Sequence, residues 1–208
     1  MNDSYTSPVA AGDQRIPWRS RRGAFFLFAR NFFRHPRMLG SIVPSSRFLI
    51  NQLLKPVDWG RANVIVEYGP GVGGITAEVL KRMRRDATLL AIETNPEFAG
   101  FLRSSIDDGR LHVVEASAES VIDILRQYGF ARANYIISGI PFSTMPASQR
   151  DRILRRTQAV LEPHGAFLVY QFSTRVLRDL KNVFPNVRRK FALLNILPAH
   201  LFFCGPQP

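Results

Sequence analysis

One cysteine, Cys204, stands in a chain of 208 residues. That excludes a disulfide framework and any cysteine-based zinc site. The four histidines are scattered without ligand spacing, so no metal is expected. No apolar run approaches the roughly 18 residues of a membrane span. Phe191 to Cys204 comes nearest, and Asn195, Pro198 and His200 interrupt it. The first residues lack the charged, apolar and small-residue series of a secretory signal. These absences point to an intracellular protein that is not integral to a membrane. Internal repeats are also missing, and the length fits one domain with a sizeable core.

Acidic residues are scarce as well. Sixteen Asp and Glu face 28 Lys and Arg, a net charge of +12. The excess is uneven: residues 1–60 carry +6, residues 61–139 carry −1 and residues 140–208 carry +7. A nearly neutral middle between two basic ends implies a polyanionic partner, either a membrane surface or a nucleic acid. Hydrophobic residues make up 46% of the chain, which excludes a disordered polypeptide.

Residues 1–17 are polar, with Pro8, Gly12 and Pro17, and read as flexible. Residues 18–59 form a second region. On a helix turning about 100° per residue, Phe25, Phe26, Phe28, Phe32, Phe33 and Ala29 share one side. Arg30, Asn31 and Arg34 take the other, with Leu27 the one apolar intruder, and Pro36 stops the helix. A Phe-rich basic amphipathic helix suits a membrane interface. It also suits packing on the domain, and the two can coexist. Phe48 to Leu54 starts another helix, with Ser45 or Ser46 as N-cap.

The third region, 60–208, opens on Val64-Ile-Val-Glu-Tyr-Gly-Pro-Gly-Val-Gly-Gly-Ile-Thr76. A β-branched strand, a glycine-crowded turn and a helix bring backbone against a nucleotide-like ligand. An acid about 20 residues on, at the end of the second strand, holds ribose hydroxyls. Glu93, closing Leu89-Leu-Ala-Ile, fills that place. Strands are expected at 62–67, 88–93, 111–115, 133–138 and 165–172. Helices are expected at 73–84, 96–106, 118–128, 147–161 and 174–183. Alternation predicts a parallel sheet covered on both faces. Two apolar segments without a helix between them, 189–197 and 200–204, predict an antiparallel hairpin at its edge.

The glycine turn alone fits NAD, FAD or S-adenosylmethionine. Glu67 precedes the first glycine; its carboxylate repels a pyrophosphate and favours a cationic methionine moiety. No second half-fold is present for a nicotinamide, and the chain ends in a hairpin.

Glu67-Tyr-Gly-Pro-Gly-Val-Gly73, Glu93, Ala116-Ser-Ala118 and Ser138-Gly-Ile-Pro-Phe142 resemble the successive motifs of the class I S-adenosylmethionine-dependent methyltransferases. The resemblance implies a seven-stranded Rossmann-like sheet, mostly parallel, with an antiparallel C-terminal hairpin. Two families within that class come nearest. Arg30-Asn31, the run from Gly40 to Arg47 with Pro44-Ser-Ser46, and Ser138-Gly-Ile-Pro141 are similar to bacterial phosphatidylethanolamine N-methyltransferases. Ile140-Pro-Phe142 is similar to part of the Asn-Leu-Pro-Tyr motif of ribosomal RNA adenine dimethyltransferases. The first family implies a peripheral enzyme at the inner face of the cytoplasmic membrane, taken here as a monomer, with a phospholipid acceptor. The alternative acceptor is an rRNA adenine.

The resemblance assigns Gly69, Pro70, Gly71 and Gly73 to the methionine part of the cofactor, with Glu67 orienting its amino group. Glu93 is assigned to the ribose hydroxyls, with Thr94 beside it, and Ser117 and Ala118 to the adenine edge. Ser138, Gly139, Ile140, Pro141 and Phe142 are assigned to the transferable methyl and the acceptor. Small Ser138 and Gly139 leave room for a tetrahedral amine and remove the amide that reads a base edge. For the amine's proton, candidates are the backbone carbonyls of 138–141 and the hydroxyls of Tyr68, Tyr135 and Tyr170. Arg150, Arg152, Arg155, Arg156, Arg175, Arg178, Arg188, Arg189 and Lys190 are candidates for a lipid phosphate.

Overall fold

The structure, a computed structural model, describes residues 47–192 and 199–205. The flexible stretch 1–17, the Phe/Arg helix and the Ser45/Ser46 cap lie outside the described residues. Helix α1 (Arg47–Leu54) opens the described chain and buries Leu49, Ile50, Leu53 and Leu54, one stripe at helical spacing.

Strand and helix then alternate: β1 (Val64–Tyr68), α2 (Gly74–Arg82), β2 (Thr88–Glu93), α3 (Pro96–Ser105) and β3 (Leu111–Glu115). They continue as α4 (Val121–Gln127), β4 (Ala133–Ser138), α5 (Ala147–Val160), β5 (Leu161–Gln171), α6 (Leu177–Val183), β6 (Asn186–Ala192) and β7 (Ala199–Gly205). Short 3₁₀ turns at Ala118–Ser120 and Phe142–Thr144 lead into α4 and α5. The sheet order is β3-β2-β1-β4-β5-β7-β6. β1 to β5 run parallel, and β7 is antiparallel to both β5 and β6.

All five residues of β1 are buried. A strand covered on both faces reads as an unbroken apolar run, which is why Val64 to Val66 lack alternation. Val66, Phe167 and Phe202 face α4, α5 and α6, whereas Ile65, Leu89 and Leu168 face α1, α2 and α3. β1 sits between β2 and β4, so the chain reverses its direction of winding there. Ligands bind beyond the carboxyl ends of strands at such a reversal. The turn after β1 and the loop after β4 therefore meet across one crevice.

Two boundaries differ from expectation. β5 starts at Leu161, directly after α5, instead of at 165. Ala133 pairs with Leu161 but Tyr135 with Ala166, so Glu162 to Gly165 bulge out of register. Gly165 permits this, since a Cβ there would lie 2.6 Å from the Asn134 carbonyl. β6 (Asn186–Ala192) begins before the expected residue 189, and 193–197 lie outside the described residues. Arg188, Arg189 and Lys190 lie inside this strand. An edge strand covered on one side needs no apolar pattern, and charge protects it from further pairing.

Candidate active site

The turn after β1 is built by glycines in the left-handed region: Gly69 at φ 66°, Gly71 at 57° and Gly73 at 81°. They serve different ends. At Gly69 a Cβ would lie 2.7 Å from Ile140 Cγ2, so its absence lets the loop after β4 close onto the turn. At Gly73 a Cβ would meet Leu102 Cδ2 at 2.6 Å. Gly73, assigned to the methionine part, is thus demanded by the packing of α3.

Glu93 ends β2 and lies against this turn. Its Oε2 accepts the Gly71 N–H at 3.1 Å and its Oε1 the Asn95 N–H at 2.9 Å. Burial raises its pKa, opposed by the Asn95 and Gly71 N–H groups. Thr94 bonds the carboxylate as well, through its N–H and its hydroxyl, so the group is held firmly against the turn.

Glu67 is 1% exposed and lies beneath the turn. The Thr76 hydroxyl donates to its Oε2 at 2.7 Å. Burial, with a smaller push from the Glu93 charge, lifts its pKa to about 7. Among the described residues no cation pairs with it. A buried acid lacking a cation would complement a cationic ligand through the field alone, since Glu67 does not line the crevice.

The crevice is lined by Gly69, Gly71, Glu93, Thr94, Ser117 and Ala118 from the carboxyl ends of β1, β2 and β3, and by Ile140 and Pro141 from the loop after β4. Phe98, Met145, Gln149 and Ile153 complete it, none of which the motifs single out. The Ser117 hydroxyl accepts the Glu119 N–H at 3.2 Å and caps the 3₁₀ turn. Its O–H remains free to donate into the crevice.

The loop after β4 is held from within. The Ile140 carbonyl accepts from Phe142 N at 3.0 Å and from the Gln171 amide at 2.7 Å. The Pro141 carbonyl accepts from Thr144, and the Phe142 carbonyl from Met145 N and from Arg150. The Gly139 carbonyl takes no such bond among the described residues. Ser138 Oγ is fully buried at the end of β4 and likewise has no hydrogen-bond partner there. An orphaned buried hydroxyl costs about 1–3 kcal/mol and is retained where something else supplies its partner.

Two residues assigned to the acceptor belong instead to the core. Tyr68 is fully buried with its hydroxyl 3.1 Å from Thr157 Oγ1, and Phe142 is fully buried edge-on to Phe167. Neither lines the crevice, because β1 alternation sends Tyr68 toward α5. Tyr135 accepts the Asp58 N–H at 3.0 Å, near the amino ends of the strands. Tyr170 is the tyrosine at the loop: a Cβ on Gly139 would lie 3.0 Å from its hydroxyl.

The α5 arginines are also otherwise engaged. Arg150 pairs with Asp179 at 2.7 Å, Arg152 with Glu119 at 2.7 Å and Arg155 with Asp151 at 2.8 Å, while Arg156 donates to the Glu119 carbonyl. Gln171 and Arg150 fasten the acceptor loop, roles that motif reading missed. For Gln171 a signal existed: like Glu93, it is a polar residue closing an apolar strand.

No family model matches the chain. It is 31% identical over 182 residues to an ornithine lipid N-methyltransferase of Singulisphaera acidiphila, covering 86% of this chain and 95% of the relative. The chain belongs to the class I S-adenosylmethionine-dependent methyltransferases. A ribosomal RNA small subunit methyltransferase A of Mycoplasma mycoides is 26% identical, over only 48% of this chain and 40% of that protein. The fold matches a Burkholderia thailandensis 1,6-didemethyltoxoflavin N1-methyltransferase crystallised with S-adenosylhomocysteine, at a TM-score of 0.61 and 16% identity, covering 98% of this chain and 94% of that one. S-adenosylmethionine, when bound, supplies an activated methyl on a sulfonium. Glu93 and the Gly69–Gly71 backbone are the groups that would hold it. The methyltransferase's own task is to align the acceptor, exclude water and keep an attacking amine uncharged. The apolar Ile140, Met145 and Ile153 walls desolvate an amine and disfavour its protonated form.

Proposed function

We propose that this methyltransferase acts on the amino head group of a membrane lipid, at the inner surface of the cytoplasmic membrane. One observation carries the reading: the 31% identity runs over nearly the whole length of a relative named for N-methylating an ornithine lipid. The loop after β4 supports it, since Ser138 and Gly139 carry no side-chain amide to read a base edge. The acceptor named first is phosphatidylethanolamine, with its methylated intermediates towards phosphatidylcholine. The relative's name favours an ornithine lipid as a second acceptor. No described helix is long and apolar enough to cross a membrane, consistent with access from the surface.

The test offers methyl-labelled S-adenosylmethionine and the full chain separate portions of phosphatidylethanolamine, ornithine lipid and ribosomal RNA, the lipids in neutral detergent. Label is expected in a lipid fraction. Label in RNA alone overturns the reading and returns the acceptor to an adenine amine.

A further inference from the structure

Arg188, Arg189, Lys190 and Phe191 are consecutive in β6, and all four are exposed. Unlike the α5 arginines, none of the three cations pairs with an acid among the described residues. Lys190 Nζ instead lies 6.0 Å from the centroid of the Phe203 ring. Phe191 is 51% exposed, with the His200 ring 4.9 Å from its own. Strand alternation splits the run between the two faces, but β6 is the sheet's edge, and a plane laid against that edge meets both sets.

Register fixes which end of the edge Phe191 occupies. It pairs with His200, His200 pairs with Gln171, and Gln171 holds the Ile140 carbonyl at the crevice. The aromatic therefore sits at the crevice end, with the cations trailing within about 10 Å along the strand. Protecting an edge from another strand requires charge. It does not require an exposed phenylalanine beside the site.

We propose that the β6 edge is a docking surface for an anionic phospholipid bilayer. Phe191 enters the acyl boundary and Arg188, Arg189 and Lys190 lie at head-group level, which turns the crevice toward the lipid. This deepens the lipid-acceptor reading and rests on it.

The experiment uses the full chain and vesicles of phosphatidylglycerol in phosphatidylcholine, which hold no primary amine, so docking is scored without turnover. Replacing Arg188, Arg189 and Lys190 together by Gln is expected to weaken retention by roughly a hundredfold, at about fivefold per cation. An environment-sensitive dye on Phe191→Cys is expected to shift to the blue on vesicle binding, and the same dye on Asp86→Cys to stay unchanged. Asp86 precedes β2 at the opposite end of the sheet, and the native Cys204 is buried. Failure of the parent chain to bind the vesicles, unchanged retention of the triple variant, an unshifted dye at 191, or displacement of the vesicles by structured RNA overturns the docking surface. A parallel assay scores the parent chain on phosphatidylethanolamine in neutral detergent, where no charged bilayer surface is present. If the parent labels no lipid there, the acceptor reading fails, and that result is separate from the vesicle measurements.

Discussion

The two halves of the sheet hold their ligands by different means. On the β1–β2–β3 side the chemistry is in acidic side chains, Glu67 and Glu93, seated against a turn of left-handed glycines. On the β4–β5 side it is in backbone carbonyls and an orphaned hydroxyl, held in place by the neighbouring Arg150 and by Gln171 from the next strand. In the proposed reading the cofactor meets the buried acids of the first side, and the acceptor meets a loop whose polarity is mostly consumed within itself.

If this division is right, substitutions on the first side change cofactor affinity and those on the second change turnover. The largest expected effect is at Glu93. Glu93→Ala removes both ribose acceptors and strands the Gly71 and Asn95 N–H groups, and affinity for S-adenosylmethionine by calorimetry should fall on the order of a hundredfold, about 3 kcal/mol. A loss under tenfold would break the comparison at its strongest point.

Glu67 gives a stability effect of similar size with a defined sign. Its pKa rises from 4.5 to about 7 on folding. The protonated form is thus favoured in the native state. The stability this group contributes is fully present below pH 4.5 and is lost as pH rises through 7. The cost at pH 8 is on the order of 3 kcal/mol, from about 1.4 kcal/mol per pKa unit. Glu67→Gln should raise the melting temperature of the cofactor-free protein at pH 8 and leave it unchanged at pH 4. Equal shifts at both pH values would assign the effect to packing.

Gln171→Leu removes the amide that fixes the Ile140 carbonyl. Turnover at saturating cofactor should fall roughly tenfold, as misplacement of a positioned loop does, with cofactor affinity intact. Parallel losses in both would merge the two halves into one unit. The smallest effects separate arginines that look alike in sequence. Arg150→Ala strands two carbonyls and Asp179 and should cost about 1–3 kcal/mol in denaturant unfolding. Arg155→Ala, at an exposed pair, should leave the midpoint unchanged.

The cofactor half was the more legible in sequence because its determinants are local. Val64 to Gly74 and Leu89 to Glu93 specify strand, turn and acid by spacing alone. Tyr68 misleads by adjacency: one residue from Glu67 along the strand is the opposite face of the sheet. The acceptor half depends on contacts such as Gln171 with Ile140, 31 residues apart, which no periodicity encodes. β6 escaped its proper bounds because burial, the property that patterns reveal, is what an edge strand lacks.

β7 emerges from the ribosome after β6, yet it lies inside the sheet, between β5 and β6. Until residues 199–205 are available, the row Phe167 to Gln171 has no neighbour on that side. A nascent chain therefore carries an open, apolar sheet margin until that point, and β6 has no strand to join. Completion of this sheet waits for residues 199–205, and any shortening of the chain before residue 199 converts the row beside β4 into a sticky edge.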